Sequence, residues 1–484
     1  KKAGGAFCIE VHNEPSIKAG LYEFYVPSWQ KYLKQKYGTI EKLNEMYQEE
    51  YQSFEDVIMP TDFAWETDYT NVLYYDYRVF AESLADTYFE KLYKMVKDID
   101  PDIYVTNKYM LNFITAGANG IDDGMNFEHL YKFNDIAGND AWAYTGISVQ
   151  NLQNKLMWYD FQADVSGKPV YNMEDHIIID DESMDLNANK PLWYQANIWQ
   201  GAMHGLAGDM IWLWGRNDAL ENGHFINTTM QYRADCMHLT NKIGKDLNRL
   251  GREVAAIKDR KADVGILYSH PSRVYEKFHI NSMYHSYLAA NYNGLKPLII
   301  VEDQMNRLDD IDTLIVPEAY HVKREVLDAV ADFADKGGKV VLVSDKCLSF
   351  DENNQPHPQE VVNSIKAKAT VIAANSKTNS YVSAAQKTIP SALENIFRED
   401  GKIKVELKDK NTGEKLDNTE ILWAEYDGGY LLNLCSYEWD KVKDTVIEID
   451  GKRVENMTDL LELEDLKGSV ELQPYTPMFL RIDK

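Results

Sequence analysis

Two glutamates in this chain each stand at the end of a short apolar run. Glu14 lies in "AFCIEVHNEP", in which Ala6 to Val11 gives way abruptly to His12-Asn13-Glu14-Pro15, and Glu174 ends the run "KPVYNME". Carboxyl groups carried on strand tips suit glycoside hydrolysis. One protonates the leaving oxygen while the other attacks the anomeric carbon or activates water, and their surroundings push the two pKa values apart. Asn13 adds an amide able to hydrogen-bond a sugar 2-hydroxyl, a contact that strengthens in the transition state. Strand-end carboxylates are also common as helix caps and surface charges, so the elements around them must decide.

Those elements alternate. After the opening strand, "YVPSWQKYLKQKYGTIEKLNEMYQEE" reads as short helices before Pro60. Tyr77, Phe80, Leu84, Tyr88, Leu92, Met95 and Ile99 then recur every three or four residues, which predicts an amphipathic helix ending at Pro101. "IYVTNKYM", "NDIAGNDAWAY", "KPVYNMEDH" and "DMIWLW" read as strands, separated by helical "VQNLQNKLMWYDFQADVSG" and "LWYQANIWQGAMHGL" and followed by a long helix from about Met230 to Ile257. Strand and helix in turn, without hairpin signals, argue a parallel sheet whose length suits a (β/α)8 barrel, although only five strands are visible. Side chains at the C-terminal strand ends of a barrel converge on one mouth. These ends are His12-Asn13-Glu14, Asn107-Lys108, Asn139-Asp140 with Trp142 and Tyr144, Glu174-Asp175-His176, and Trp212-Leu213-Trp214 followed by Arg216.

Beyond the expected catalytic region, 1–262, the strands "ADVGILYS", "KPLIIVE", "DTLIVP" and "GKVVLVS" with intervening helices predict a smaller α/β domain over 263–395. It contains no glycine-rich phosphate loop. From 396 to 484, short alternating runs with Asp-Gly turns predict a small antiparallel β domain, a sandwich. A net charge of −26 disfavours nucleic acid and anionic lipid as partners. The four cysteines lie far apart, without zinc or disulfide spacing. The 10 Trp, 31 Tyr and 16 Phe, many beside polar residues, suit sugar rings, which are apolar on one face and hydroxylated at the rim.

With these motifs in place, the chain resembles clan A glycoside hydrolases and, within them, family 42, the microbial β-galactosidases. Asn13-Glu14 matches the Asn-Glu pair that ends strand four of that clan, and Met173-Glu174 matches the end of strand seven. "WQKYLKQKYGTIEKLNEMYQEEYQSFEDVIMP" resembles the family's insertion after strand four, and "QANIWQGAMHGLAGDMIWLWGRNDALENGH" its passage into strand eight. The resemblance implies a retaining exo-β-glycosidase with Glu14 as acid/base and Glu174 as nucleophile, a trimerisation role for the flavodoxin-like second domain, and no cofactor or metal. It also implies that Glu221 and His224 bind sugar hydroxyls and that Trp214, with Trp212, supplies a stacking floor. Trp142 and Tyr144 join the substrate contacts, Tyr144 in position to orient the nucleophile.

Pro15 after the Asn-Glu pair, and Gly215 between Trp214 and Arg216, depart from the family pattern and leave the sugar open. A β-mannosidase, a β-glucosidase or an inactive sugar-binding relative are the alternatives to a β-galactosidase. Counting Glu14 as the end of strand four places strands one to three in an N-terminal segment of the same polypeptide, which would complete the barrel. Glu221-x-x-His224 has a spacing that can bind metal on a helix, but Asn222-Gly223 between them weakens that helix. Asp175 and His176 have no Ser or Cys in a nucleophile-elbow setting and are expected to support the acidic pair. The acidic run Asp180 to Asp185 reads as solvated loop.

Overall fold

The computed structural model describes residues 7–60, 71–109, 124–126, 128–129, 131–143, 149–177, 190–215, 230–276, 278–373 and 385–483. The opening apolar run forms β1 (Cys8–Asn13). It is followed by α1 (Val26–Tyr37), α2 (Ile40–Tyr47) and α3 (Val72–Ile99), then by β2 (Tyr104–Lys108), which pairs with β1 in parallel. Thr39 caps α2 by accepting from the Lys42 amide. The expected stripe on α3 is buried only in its first half. Tyr77 and Phe80 pack on Trp29 and Leu33 of α1, whereas Met95 and Ile99 are exposed because α3 outruns the helices that cover it.

The alternation continues through β3 (Ala137–Asn139), α4 (Val149–Ser166), β4 (Val170–Asp175), α5 (Lys190–Met203) and β5 (Leu206–Ile211). β3, β4 and β5 pair in parallel, and a parallel bridge from Tyr109 to Asn139 joins them to β2. The five strands therefore form one arc with all their C-terminal ends on the same side. β5 begins three residues earlier than the run "DMIWLW" suggests. Its small residues allow this, because a Cβ at Gly208 would lie 2.9 Å from the Tyr171 ring of β4. The long helix expected from Met230 to Ile257 is two helices, α6 (Ala234–Arg249) and α7 (Gly251–Asp259). They break at Leu250, which leaves helical geometry as its side chain turns into the core.

The next region runs β6 (Val264–Tyr268), α8 (His270–Tyr275), α9 (His279–Asn291), β7 (Pro297–Val301), β8 (Thr313–Pro317), α10 (Arg324–Asp335), β9 (Lys339–Val343), α11 (Gln359–Lys368), β10 (Thr370–Ile372) and α12 (Ala385–Glu399). The sheet is parallel in the order β10-β9-β8-β6-β7, the doubly wound flavodoxin arrangement. β10 was not expected, since three residues are too few to announce themselves as a strand.

The C-terminal strands are β11 (Val405–Asp409), β12 (Thr419–Tyr426), β13 (Gly429–Ser436), β14 (Lys443–Ile449), β15 (Lys452–Arg453), β16 (Asn456–Asp459), β17 (Glu464–Lys467), β18 (Val470–Leu472) and β19 (Met478–Ile482). They make two antiparallel sheets, β11-β14-β15 with β18 on β14, and β12-β13-β19-β16-β17. Val405 and Ile447 from one sheet share a core with Leu432 and Leu480 from the other.

A largely apolar core runs on from α4 and α5 into β6, α9, α12, β13 and β19. Polar side chains pin the same junction. Trp199 of α5 donates to Asn433 Oδ1 at 2.7 Å, and the buried His204 lies between Asp160 Oδ2 at 2.7 Å and Glu420 Oε1 at 3.1 Å. Burial opposes a charge on this imidazole, but Asp160 and Glu420 outweigh it and push its pKa up to about 10.

Candidate active site

Parallel pairing brings the two glutamates together. Asn13 lies opposite Lys108, and the Glu14 amide donates to the Lys108 carbonyl at 2.9 Å as the chain turns off β1 with a positive φ of 46°. On β4, alternation points Glu174 and His176 to one face and Asp175 to the other. Asp175 accordingly pairs with the buried Lys155 of α4 at 2.5 Å, outside the mouth, while His176 Nε2 meets Glu174 Oε1 at 3.0 Å. The amide of Glu174 is anchored by Asn172 Oδ1 at 3.2 Å, and Asn172 in turn donates to the Ala141 carbonyl at 2.6 Å.

Lys108 stands between the glutamates. Its ammonium pairs with Glu174 Oε2 and lies 3.9 Å from Glu14 Oε1. Burial raises the pKa of Glu174, but its bonds to Lys108 and His176 outweigh that and leave it below the usual carboxylate range. Asp140, at the end of β3, behaves in the opposite way. Burial, then a hydrogen bond to Glu14, then the charge of Glu174 push its pKa up to about 9. The site therefore contains an ionised carboxylate at Glu174 and, hydrogen-bonded to Glu14, an Asp140 carboxyl that retains its proton at neutral pH. That division suits a nucleophile facing an acid.

Asp140, Glu174 and His176 each offer a ligand atom within 4.8 Å of the others, a spacing open to a metal ion. The Lys108 ammonium already supplies positive charge to Glu174 there, so these residues are not assigned as metal ligands. Asn13 is exposed beside Glu14, and Trp142 is half-buried three residues past β3. Trp214 is 63% exposed and lines a cleft with Ile211, Met230 and Met237. Trp212 meets His176 with ring centroids 5.7 Å apart. Tyr144, Arg216, Glu221 and His224 lie outside the described residues, as does the run Asp180 to Asp185. Sequence reasoning placed Lys108 and Asp140 at strand ends without giving them roles, and expected both Asp175 and His176 to support the acidic pair, of which only His176 reaches it. The period of two on β4 was the available signal for His176, whereas only the pairing of β1 with β2 centres Lys108.

The profile of glycoside hydrolase family 42, described as beta-galactosidase, matches residues 5–257, more than half of the chain. The chain belongs to that family. Its relatives include the beta-galactosidase BgaB of Geobacillus kaustophilus, 24% identical over 362 residues that cover 68% of this chain and 49% of that protein. The chain thus spans about half the length of the curated relatives it matches. Among solved structures, the exo-carrageenase of family 42 from Bacteroides ovatus superposes with a TM-score of 0.77 at 19% identity, covering 95% of this chain and 63% of that one. The beta-galactosidase from Bacillus circulans sp. alkalophilus gives 0.72 at 15% identity, with coverage of 96% and 77%. The family 42 fold is thus a barrel followed by the α/β and antiparallel β regions seen here.

Proposed function

We infer that this chain carries the machinery of a retaining, exo-acting β-glycosidase, and that its substrate is a β-galactoside. The observation that supports this best is the placement of Glu14 and Glu174 on either side of one ammonium, with Glu174 ionised and a protonated Asp140 hydrogen-bonded to Glu14. In the first step the Glu174 carboxylate bonds to the anomeric carbon as the glycosidic bond breaks, and Glu14 gives its proton to the leaving oxygen. In the second, Glu14 takes a proton from water, whose oxygen displaces Glu174 and releases the sugar with retained configuration.

Asn13 reaches the 2-hydroxyl in this reading. Trp142, Tyr144, Trp214, Glu221 and His224 line the sugar site, and no cofactor takes part. Retention requires the two carboxyl groups to be about 5 to 5.5 Å apart in the complexed enzyme, against roughly 6.5 to 9.5 Å for inversion. The free edges of β1 and β5 among the described residues favour a barrel completed by further strands of the same polypeptide. A homotrimer built through the flavodoxin-like region is the assembly that sedimentation would test.

The deciding experiment is intact mass before and after an activated 2-fluoro-β-galactoside, followed by peptide mapping. A galactosyl adduct on the peptide containing Glu174 is expected. A folded, full-length protein that forms no such adduct, but does with the mannosyl or glucosyl reagent, would replace galactose. Labelling by none of these reagents would favour a sugar-binding protein.

A further inference from the structure

The double displacement proposed above moves one negative charge between two side chains. When Glu174 forms its ester it ceases to be an anion, and when Glu14 gives its proton to the leaving oxygen it becomes one. The charge returns when water delivers a proton to Glu14 and the ester releases Glu174. A fixed cation serving only one of these carboxylates would stabilise one half of the cycle and lose its partner in the other.

We propose that Lys108 is a positioning residue that changes partners during the cycle, pairing with Glu174 before the glycosyl-enzyme forms and with Glu14 while it exists. The proposal rests on the two-glutamate reading. Lys108 is 5% exposed at the end of β2, already in contact with Glu174 and 3.9 Å from Glu14, so the change of partner needs rotation about its terminal bonds and no backbone movement. The other charged or titratable groups around it are Glu10 on β1, Asp140 after β3 and His176 after β4. Three of the four carboxyl groups, Glu10, Glu14 and Asp140, remain when Glu174 is esterified. Lys108 is then the cation left 3.9 Å from Glu14 as it acts as a base. His176 bonds the other oxygen of Glu174, Oε1.

The role separates from simple support of Glu174 by where its loss is felt. Support alone would affect formation of the intermediate, whereas exchange of partners also affects its hydrolysis. The measurement is kcat against pH, from about pH 5 to 9, on a dinitrophenyl β-galactoside, for which hydrolysis of the intermediate limits turnover. Full-length wild type, Lys108→Met and Lys108→Arg are compared, with thermal melts to establish folding and Lys108→Gln as the neutral alternative if the Met variant does not fold. The acidic limb of kcat is expected to rise by about one pH unit in the neutral variant, as removal of an adjacent opposite charge requires, and to be restored by Arg. An unchanged limb in a folded neutral variant would overturn the proposal, even if kcat/KM fell. Wild type that neither turns over the substrate nor forms the Glu174 adduct would instead remove the two-glutamate reading, an outcome visible before any Lys108 variant is made.

Discussion

At the scale of the residue, the site depends on carboxyl groups with opposite protonation. Glu174→Gln keeps the shape and removes the charge, and is expected to lower kcat by at least about a thousandfold, as loss of a nucleophile does. Glu14→Ala is expected to be leaving-group dependent, losing far more on an alkyl galactoside than on a dinitrophenyl one, because only a poor leaving group needs the proton. Steady-state kinetics on the two substrates would show this split. Asp140→Asn retains a hydrogen-bond donor to Glu14 but no proton to share. With the Asp140 pKa pushed up to about 9, the wild-type alkaline limb of kcat/KM is expected near that pH and is expected to move down in the variant. An unmoved limb would mean that Asp140 takes no part in holding the acidic proton.

At the scale of the element, the site relies on how closely neighbouring strands approach. A Cβ at Gly138 in β3 would lie 2.3 Å from the Asn107 carbonyl oxygen and 2.5 Å from Thr106 Oγ1, both on β2. Gly138→Val therefore has to part β2 from β3, separating Lys108 from Asp140. It is expected to cost more than about 3 kcal/mol of stability, measured by denaturant unfolding. Gly38, whose added Cβ would meet nothing within 4 Å, is the contrasting position. With its φ of 75°, alanine there is expected to cost about 1 to 3 kcal/mol through backbone strain alone.

At the scale of the whole molecule, His204 joins α4 and α5 to the C-terminal β region through Asp160 and Glu420. Its folded pKa, about 10, lies above that of an exposed histidine. The stabilisation is therefore complete below about pH 6.5 and is lost as pH rises through about 10. Thermal melts between these values are expected to show a falling Tm in the wild type and a flatter dependence in His204→Gln. The substitution leaves the buried Glu420 and the part-buried Asp160 without their cation, though Tyr287 still donates to Asp160 and Gln200 and Tyr437 to Glu420, and is expected to cost about 1 to 3 kcal/mol at neutral pH. A variant as stable as the wild type at pH 7 would show that the junction is held by its apolar core alone.

What the sequence determined by itself was what local pattern controls. The apolar runs ending at Glu14 and Glu174, the alternation with helices, the doubly wound region and the antiparallel strands are each carried by residues close together in the chain. Even there, Leu250 broke a helix because its side chain had a core to enter, and β10 was too short to see. The tertiary structure alone decided which strand tips share a mouth. The pairing of β1 with β2 and of β3 with β4 sets Lys108 between two glutamates 160 residues apart (174 − 14) and places Asp140 against Glu14. Register between strands is a long-range choice, and so is the protonation it imposes, because burial and neighbouring charge set a carboxyl's pKa whatever its place in the chain.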